Sequence, residues 1–234
     1  ALQTISDFSD RRTFNNTSFE VGANWKPTQD VLLYASMREG YRSGAVNAQA
    51  FSDKSEITFA PPETARTYEV GFKSTVLNRA LTINGSLFQT DYKNQQVVVT
   101  EAGGLFPLRS ISSARVRGFE ADITARPVDR VPPAASVGVL DPKYTNDATV
   151  SGTSGVDVSG NQISNAAKFS LNLSGDFVLA EINDDTVDLN LDGTYTSRVI
   201  YGIAETVNVS QPGYWVANAR LAYNAERFSV GAGG

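Results

Sequence analysis

Strict alternation of apolar and polar residues dominates this sequence, and it constrains the fold more than any other feature. Phe19, Val21, Ala23 and Trp25 alternate with Ser18, Glu20, Gly22 and Asn24. Tyr68, Val70 and Phe72 alternate with Thr67, Glu69, Gly71 and Lys73. The same grammar returns in residues 81–87, 116–126, 168–179, 186–196 and 215–223, with weaker versions at 31–41, 133–144 and from Phe228 onward. A period of two is that of a strand with one apolar and one polar face, so the chain is read as all-β, with about ten strands.

The connections between these segments alternate in length. Short ones fall at 26–30, 77–80, 127–131, 181–185 and 224–226, and long ones at 42–62, 94–109, 141–165 and 200–212. An up-and-down meander with short turns at one rim and long loops at the other predicts this order, whereas the crossings of a Greek-key sandwich do not require it. Strand length points the same way, because a soluble strand averages ~5–6 residues and a tilted membrane-spanning one needs ~9–11. Aromatic residues sit near strand ends, Trp25 and Tyr223 beside short turns, Tyr195 and Trp215 toward long loops. Two interfacial girdles would look like this. The expectation is an antiparallel up-and-down transmembrane β-barrel in part. A soluble β-sandwich, such as an adhesin or glycan-binding module, is the alternative on periodicity alone.

Composition excludes several chemistries. The chain has no cysteine and no histidine, which removes disulfides, thiolate or imidazole metal ligands and His-based catalysis. A net charge of −5 argues against nucleic acid as a partner. Asp188-Leu189-Asn190-Leu191-Asp192-Gly193 matches the first half of an EF-hand loop, but Val199 stands where the closing Glu would be. The chain is expected not to be an enzyme, and no cofactor or metal site is expected. The N-terminus, Ala1-Leu2-Gln3-Thr4, carries no signal-peptide pattern.

Several ordered segments resemble the C-terminal barrel of TonB-dependent outer-membrane receptors. They are Trp25-Lys26-Pro27-Thr28-Gln29-Asp30 with Val31-Leu32-Leu33-Tyr34-Ala35-Ser36, then Gly40-Tyr41-Arg42-Ser43-Gly44, then Pro62-Glu63-Thr64 leading to Tyr68-Glu69-Val70-Gly71-Phe72-Lys73. Leu87-Phe88-Gln89-Thr90-Asp91-Tyr92 and Arg117-Gly118-Phe119-Glu120-Ala121 follow in the same order. The motif match covers residues 16–126, and residues 165–230 fit by pattern. Gly40, Gly44, Gly71 and Gly118 are expected at bends, bulges or crowded inward positions.

The resemblance implies an outer-membrane active transporter of a Gram-negative bacterium, taking up a ferric siderophore or another scarce ligand. It implies a barrel of roughly 22 strands, of which this chain would supply about ten. It also implies a plug domain outside residues 1–234 and coupling to the TonB-ExbB-ExbD complex through a missing N-terminal region. The barrel is expected to be incomplete at both ends, with outer-membrane lipid as its other partner. A passive porin-type barrel is the competing membrane reading. Tyr41, Arg42, Arg109, Arg115, Arg117 and Tyr201 are the expected ligand contacts, placed in loops and the upper lumen, because arginine and tyrosine suit an anionic iron chelate.

Overall fold

The computed structural model describes residues 11–47, 57–99, 107–126, 133–145, 148–150, 156–203 and 209–234. Among them every regular element is a strand. In chain order these are β1 (Glu20–Thr28), β2 (Val31–Arg42), β3 (Ala45–Asn47), β4 (Thr58–Ala60), β5 (Glu63–Val76), β6 (Leu81–Val98) and β7 (Leu108–Ala125). There follow β8 (Ala134–Tyr144), β9 (Phe169–Ile182), β10 (Asp185–Thr196), β11 (Val199–Ile200), β12 (Ser210–Gln211), β13 (Tyr214–Asn224) and β14 (Ser229–Gly233). Ten strands form one sheet in the order β1-β2-β5-β6-β7-β8-β9-β10-β13-β14, each antiparallel to its neighbours. The other four pair as hairpins inside long connections, β3 with β4 and β11 with β12. A single sheet in sequential order is a meander; a sandwich needs a second sheet packed on the first.

Register turns the sequence pattern into two faces. Ala23, Ala35, Val70, Leu87, Phe119 and Val139 are successive cross-strand partners on one side. Lys73, Asn84, Asp122, Ser136, Asn172 and Thr194 are partners on the other. The apolar side chains are not covered by protein: Val21 is 62% exposed, Val70 53% and Leu87 58%. A contiguous apolar face of this extent is unstable in water and suits hydrocarbon. On β5 it runs from Val76 to Tyr68 before Arg66, and on β7 from Ala125 to Phe119 before Arg117. Strands tilted as in a barrel convert that run into a band about 25 Å tall. Aromatic rings mark its rims, Tyr195 lying 5.9 Å from Phe169 and 5.3 Å from Trp215, and Tyr223 lying 6.1 Å from Phe228.

Two of the short turns use left-handed backbone. Leu77, Asn78 and Arg79 have φ of 54°, 53° and 71°, and the Ala80 N–H closes on the Leu77 carbonyl at 3.0 Å. Asn183 takes φ 59° between β9 and β10. The expected turn at 127–131 lies outside the described residues. Gly71 is crowded as expected: a Cβ there would stand 2.6 Å from Tyr34 Oη and 2.7 Å from the Gly85 carbonyl. Gly118 is filled over by the Phe88 ring, and Gly44 by Phe14 and the Ala60 carbonyl. Gly40 departs from the expectation, since a Cβ there would meet only Ala65 at 3.6 Å, an ordinary contact.

The long connections also need correction. Of the expected loop at 94–109, residues 94–98 belong to β6 and 108–109 to β7, with Asn94 at φ 54° inside the ladder, and residues 100–106 lie outside the described residues. Arg109 and Arg115 therefore lie within the same strand as Arg117 and not in a loop. Alternation fails to announce these residues because protein covers both faces there: Gln96 and Ser110 are buried alongside Ile111. Above the band, the chain packs on itself. Ile111, Tyr144, Ala148, Val150, Val158 and Ile163 form a buried apolar cluster joining the tops of β7 and β8 to the connection between β8 and β9.

Candidate functional site

The polar face and the long-loop rim are where this wall presents hydrogen-bonding chemistry. On β2 and β5, Glu69 receives the Tyr34 hydroxyl on Oε1 at 2.6 Å and the Arg38 guanidinium on Oε2 at 2.7 Å. The Thr67 and Thr90 hydroxyls meet at 2.9 Å one row higher. Toward the short turns, asparagine amides donate to carboxylates on neighbouring strands: Asn84 to Asp122 at 2.7 Å, Asn190 to Asp176 at 2.6 Å and Asn218 to Asp192 at 2.8 Å. Charge-assisted rungs of this kind hold a wet surface in a fixed shape without closing it to water. Residues 188–193, the EF-hand-like stretch, are the middle of β10. No cluster of metal-ligating side chains occurs among the described residues.

At the rim the loops are tied to the strand tops. Gln96 Nε2 donates to the Ser43 and Pro61 carbonyls at 2.9 and 3.0 Å, bridging the base of the β3–β4 hairpin. The Gln96 N–H donates to Glu63 Oε2 at 3.0 Å, and Arg42 Nη1 stands 3.9 Å from the same oxygen. Thr58 Oγ1 reaches the Leu108 carbonyl at 3.2 Å. Across the rim, Asn161 Nδ2 donates to the Ile203 carbonyl at 3.1 Å and the Asn165 N–H to the Ile200 carbonyl at 2.8 Å. In the same loop Asp157 accepts the Ser159 N–H at 2.8 Å, and the Ser159 hydroxyl and N–H hold its carboxyl below the usual aspartate range.

The six expected ligand residues do not form one constellation. Arg42 ends β2 on the polar face, opposite Glu63. Arg109 lies near the start of β7, opposite Val97. Tyr201 is 52% exposed beyond β11, its N–H bonded to the Val209 carbonyl at 2.9 Å. These three border the rim. By register Tyr41, Arg115 and Arg117 fall on the side of the sheet that carries Val70 and Leu87, and Arg109 continues the same row of β7 up to the rim. Arg115 Nε pairs with Asp91 Oδ1 at 2.5 Å and Arg117 Nε with Gln89 Oε1 at 2.9 Å, contacts along that outer side. The Tyr34–Glu69–Arg38 group was not singled out from sequence. Its signal was present, three polar or charged residues on the inner parity of adjacent strands, but only the register places Arg38 within reach of Glu69.

Three comparisons bear on this wall. A family model described as "TonB dependent receptor-like, beta-barrel" matches residues 2–234. The chain is 24% identical to a probable TonB-dependent siderophore receptor, PiuA, of Acinetobacter baumannii, over 97% of the chain and 30% of that protein. It is 29% identical to a probable TonB-dependent receptor, BfrD, of Bordetella pertussis, over 62% of the chain and 19% of that protein. In three dimensions it resembles the ferric yersiniabactin uptake receptor FyuA of Yersinia pestis, with a TM-score of 0.75 at 16% identity, covering 91% of the chain and 30% of that structure. The chain thus spans less than a third of the length of these relatives.

Proposed function

The chain belongs to the TonB-dependent receptor-like β-barrel family, and from that premise we propose that it forms part of the membrane wall of a receptor that actively imports ferric siderophores across the outer membrane. One observation carries the reading. The ten-strand meander has an uncovered apolar face on one side and a hydrogen-bonded polar face on the other, which is what a wall between hydrocarbon and a wet lumen requires. The relatives named as siderophore receptors support the choice of cargo.

In this reading a plug domain, outside residues 1–234, rests on the asparagine–carboxylate rungs and links the receptor to the TonB-ExbB-ExbD complex. The ligand is met at the rim by Arg42 and Tyr201, and deeper in the lumen by Tyr34, Arg38 and Glu69. Arg38 supplies a cation toward an anionic chelate, and Glu69 keeps it oriented. Arg109, Arg115, Arg117 and Tyr41 are left out of this ligand set, since by register they lie on the side of the sheet that faces away from the lumen.

The test is uptake of an iron-55-labelled siderophore panel by cells carrying or lacking the full-length receptor. Uptake that needs the receptor, TonB and the proton-motive force is the expected result. Receptor-dependent uptake that persists without TonB, or an open pore formed by the intact protein in planar bilayers, overturns it in favour of a passive barrel. Arg38→Ala in the full-length receptor is expected to weaken ligand binding by about ten-fold, the loss of one charge-assisted hydrogen bond.

A further inference from the structure

Charges lie on the outer side of the sheet as well as on its lumen side, and at the long-loop end of the described residues they gather at one height and on one arc. Directly above the apolar band, β2 and β5–β8 carry Glu39, Arg66, Asp91, Arg115 and Lys143 as consecutive cross-strand partners. One row below are Gln89, Arg117 and Asp141, and one row above is Lys93 opposite Ser113. At the corresponding rim of β9, β10 and β13 stand the rings of Phe169, Tyr195 and Trp215 instead.

Three of these charges are neutralised in place. Arg66 Nη2 meets Glu39 Oε1 at 2.6 Å, Arg115 Nε meets Asp91 at 2.5 Å and Lys143 Nζ meets Asp141 Oδ1 at 2.8 Å. Arg117 and Lys93 are left over. Arg117 makes no ion pair: its Nε donates to a neutral amide, Gln89, and it acts on the nearby Asp91 carboxylate only through its field, while Lys93 has no hydrogen bond or ion pair among the described residues. In a chain of net charge −5, this arc holds five cations against three anions.

We infer that this arc is a binding site for an anionic, phosphate-bearing lipid of the membrane leaflet at the long-loop end. Acyl chains lie against the apolar face below, along Val21, Ala23, Ala35, Val70 and Leu87, which is continuous with Arg117. The headgroup phosphate sits on the ammonium of Lys93, where Ser113 and Thr145 add hydroxyls in the same row, and the guanidinium of Arg117, two rows below, adds a second cation toward the acyl-chain end of the headgroup. An interface location strengthens such contacts, because the competing water is partly excluded. The paired residues set the geometry: the carboxylates of Glu39, Asp91 and Asp141 each hold a neighbouring cation in an ion pair, which leaves the arc two positive charges in excess. The inference rests on the membrane-spanning reading and is independent of the cargo. A receptor that imports no siderophore yet retains anionic lipid would refute the proposed transport and leave this site standing.

Native mass spectrometry of the full-length receptor tests it. The protein, purified in detergent, is mixed with equal amounts of phosphatidylglycerol and phosphatidylcholine of identical chains, and retained lipid is counted. The wild type is expected to retain the anionic lipid in preference. Arg117→Gln and Lys93→Gln are each expected to lower that retention about five-fold, as for one interfacial cation removed. Lys73→Gln, which removes a positive charge from the lumen side, is expected to leave it unchanged. Equal retention of the two lipids by the wild type overturns the inference. So does an undiminished preference in both outer variants, or a Lys73→Gln loss as large as theirs. Heat-modifiable gel migration confirms that each variant has assembled, and if one outer variant does not assemble the other carries the prediction alone.

Discussion

The membrane band and the loop cap of this chain are built from the same kinds of residues and held together in opposite ways. In the band, Val70, Leu87 and Trp215 are half or more exposed and touch little protein. In the cap, Ile111, Ala148 and Val158 are fully buried and Tyr144 and Val150 nearly so. The band needs no protein core because hydrocarbon replaces one and the ladder satisfies every backbone group between neighbouring strands. The cap stands in water, so it has to bury its own apolar surface and bond its own backbone. Hence the Tyr144 N–H bonds to the Asn161 carbonyl at 2.9 Å, Val158 to Ala148 at 2.9 Å and Ile163 to Pro142 at 3.1 Å. The long connections of such a wall are small folded units as well as links.

That contrast can be broken most directly in the cap. Ile111→Ala opens a cavity at the centre of the cluster and is expected to cost about 2–5 kcal/mol there. Hydrogen exchange in the full-length receptor should show the amides of Tyr144, Val158 and Ile163 accelerating while those of β9 and β10 stay protected. If the whole wall loosens with the cap, the two regions are one cooperative unit and the comparison fails.

A charge placed in the band should act almost as strongly, and only on one face. Leu87→Arg is expected to destabilise the barrel by about 2–4 kcal/mol in denaturant titrations from lipid vesicles. On the lumen side Ser174→Arg, at an exposed residue, should change stability by well under 1 kcal/mol, as a solvated surface substitution does. Equal effects would mean that the two sides of the sheet do not face different media.

Gly71→Ala comes next. The added Cβ meets the Tyr34 hydroxyl and a backbone oxygen, and displacing them is expected to cost about 1–3 kcal/mol. Because Tyr34 also holds Glu69, ligand affinity should fall with stability, whereas the same change at the roomier Gly40 should alter neither.

The smallest effect is electrostatic and belongs to the cap. The Asp157 carboxyl is held below the ordinary aspartate value near 3.8 by Ser159. A depressed carboxyl contributes stability that is complete above the ordinary value and is lost as the pH falls through the lower folded one. Protection of the Ser159 amide should therefore decline below about pH 4 in the wild type and be insensitive to that change in Asp157→Asn.

Legibility in the sequence followed the same division. Strands such as β1, β5 and β13 announce themselves because two different media face their two sides and each selects its own residues. The upper parts of β6 and β7 do not, since Gln96, Ser110 and Ile111 have protein around them whichever way they point. The short turns were visible in Asn78 and Asn183, residues that tolerate left-handed backbone. Arg115 and Arg117 were chosen for their chemistry alone, and a residue's chemistry does not reveal which side of a sheet it occupies near a rim where both sides are wet.

By itself, then, the sequence determined the strand grammar, the up-and-down order and the family, because alternation, connection length and motif order are one-dimensional properties. Tertiary structure alone decided which carboxylate each cation meets, that Arg117 and Lys93 form no ion pair on the outer side, and that the long loops share a core with the strand tops. Those outcomes depend on register, and register joins residues such as Arg38 and Glu69 that are far apart in the chain, where no local pattern records the pairing.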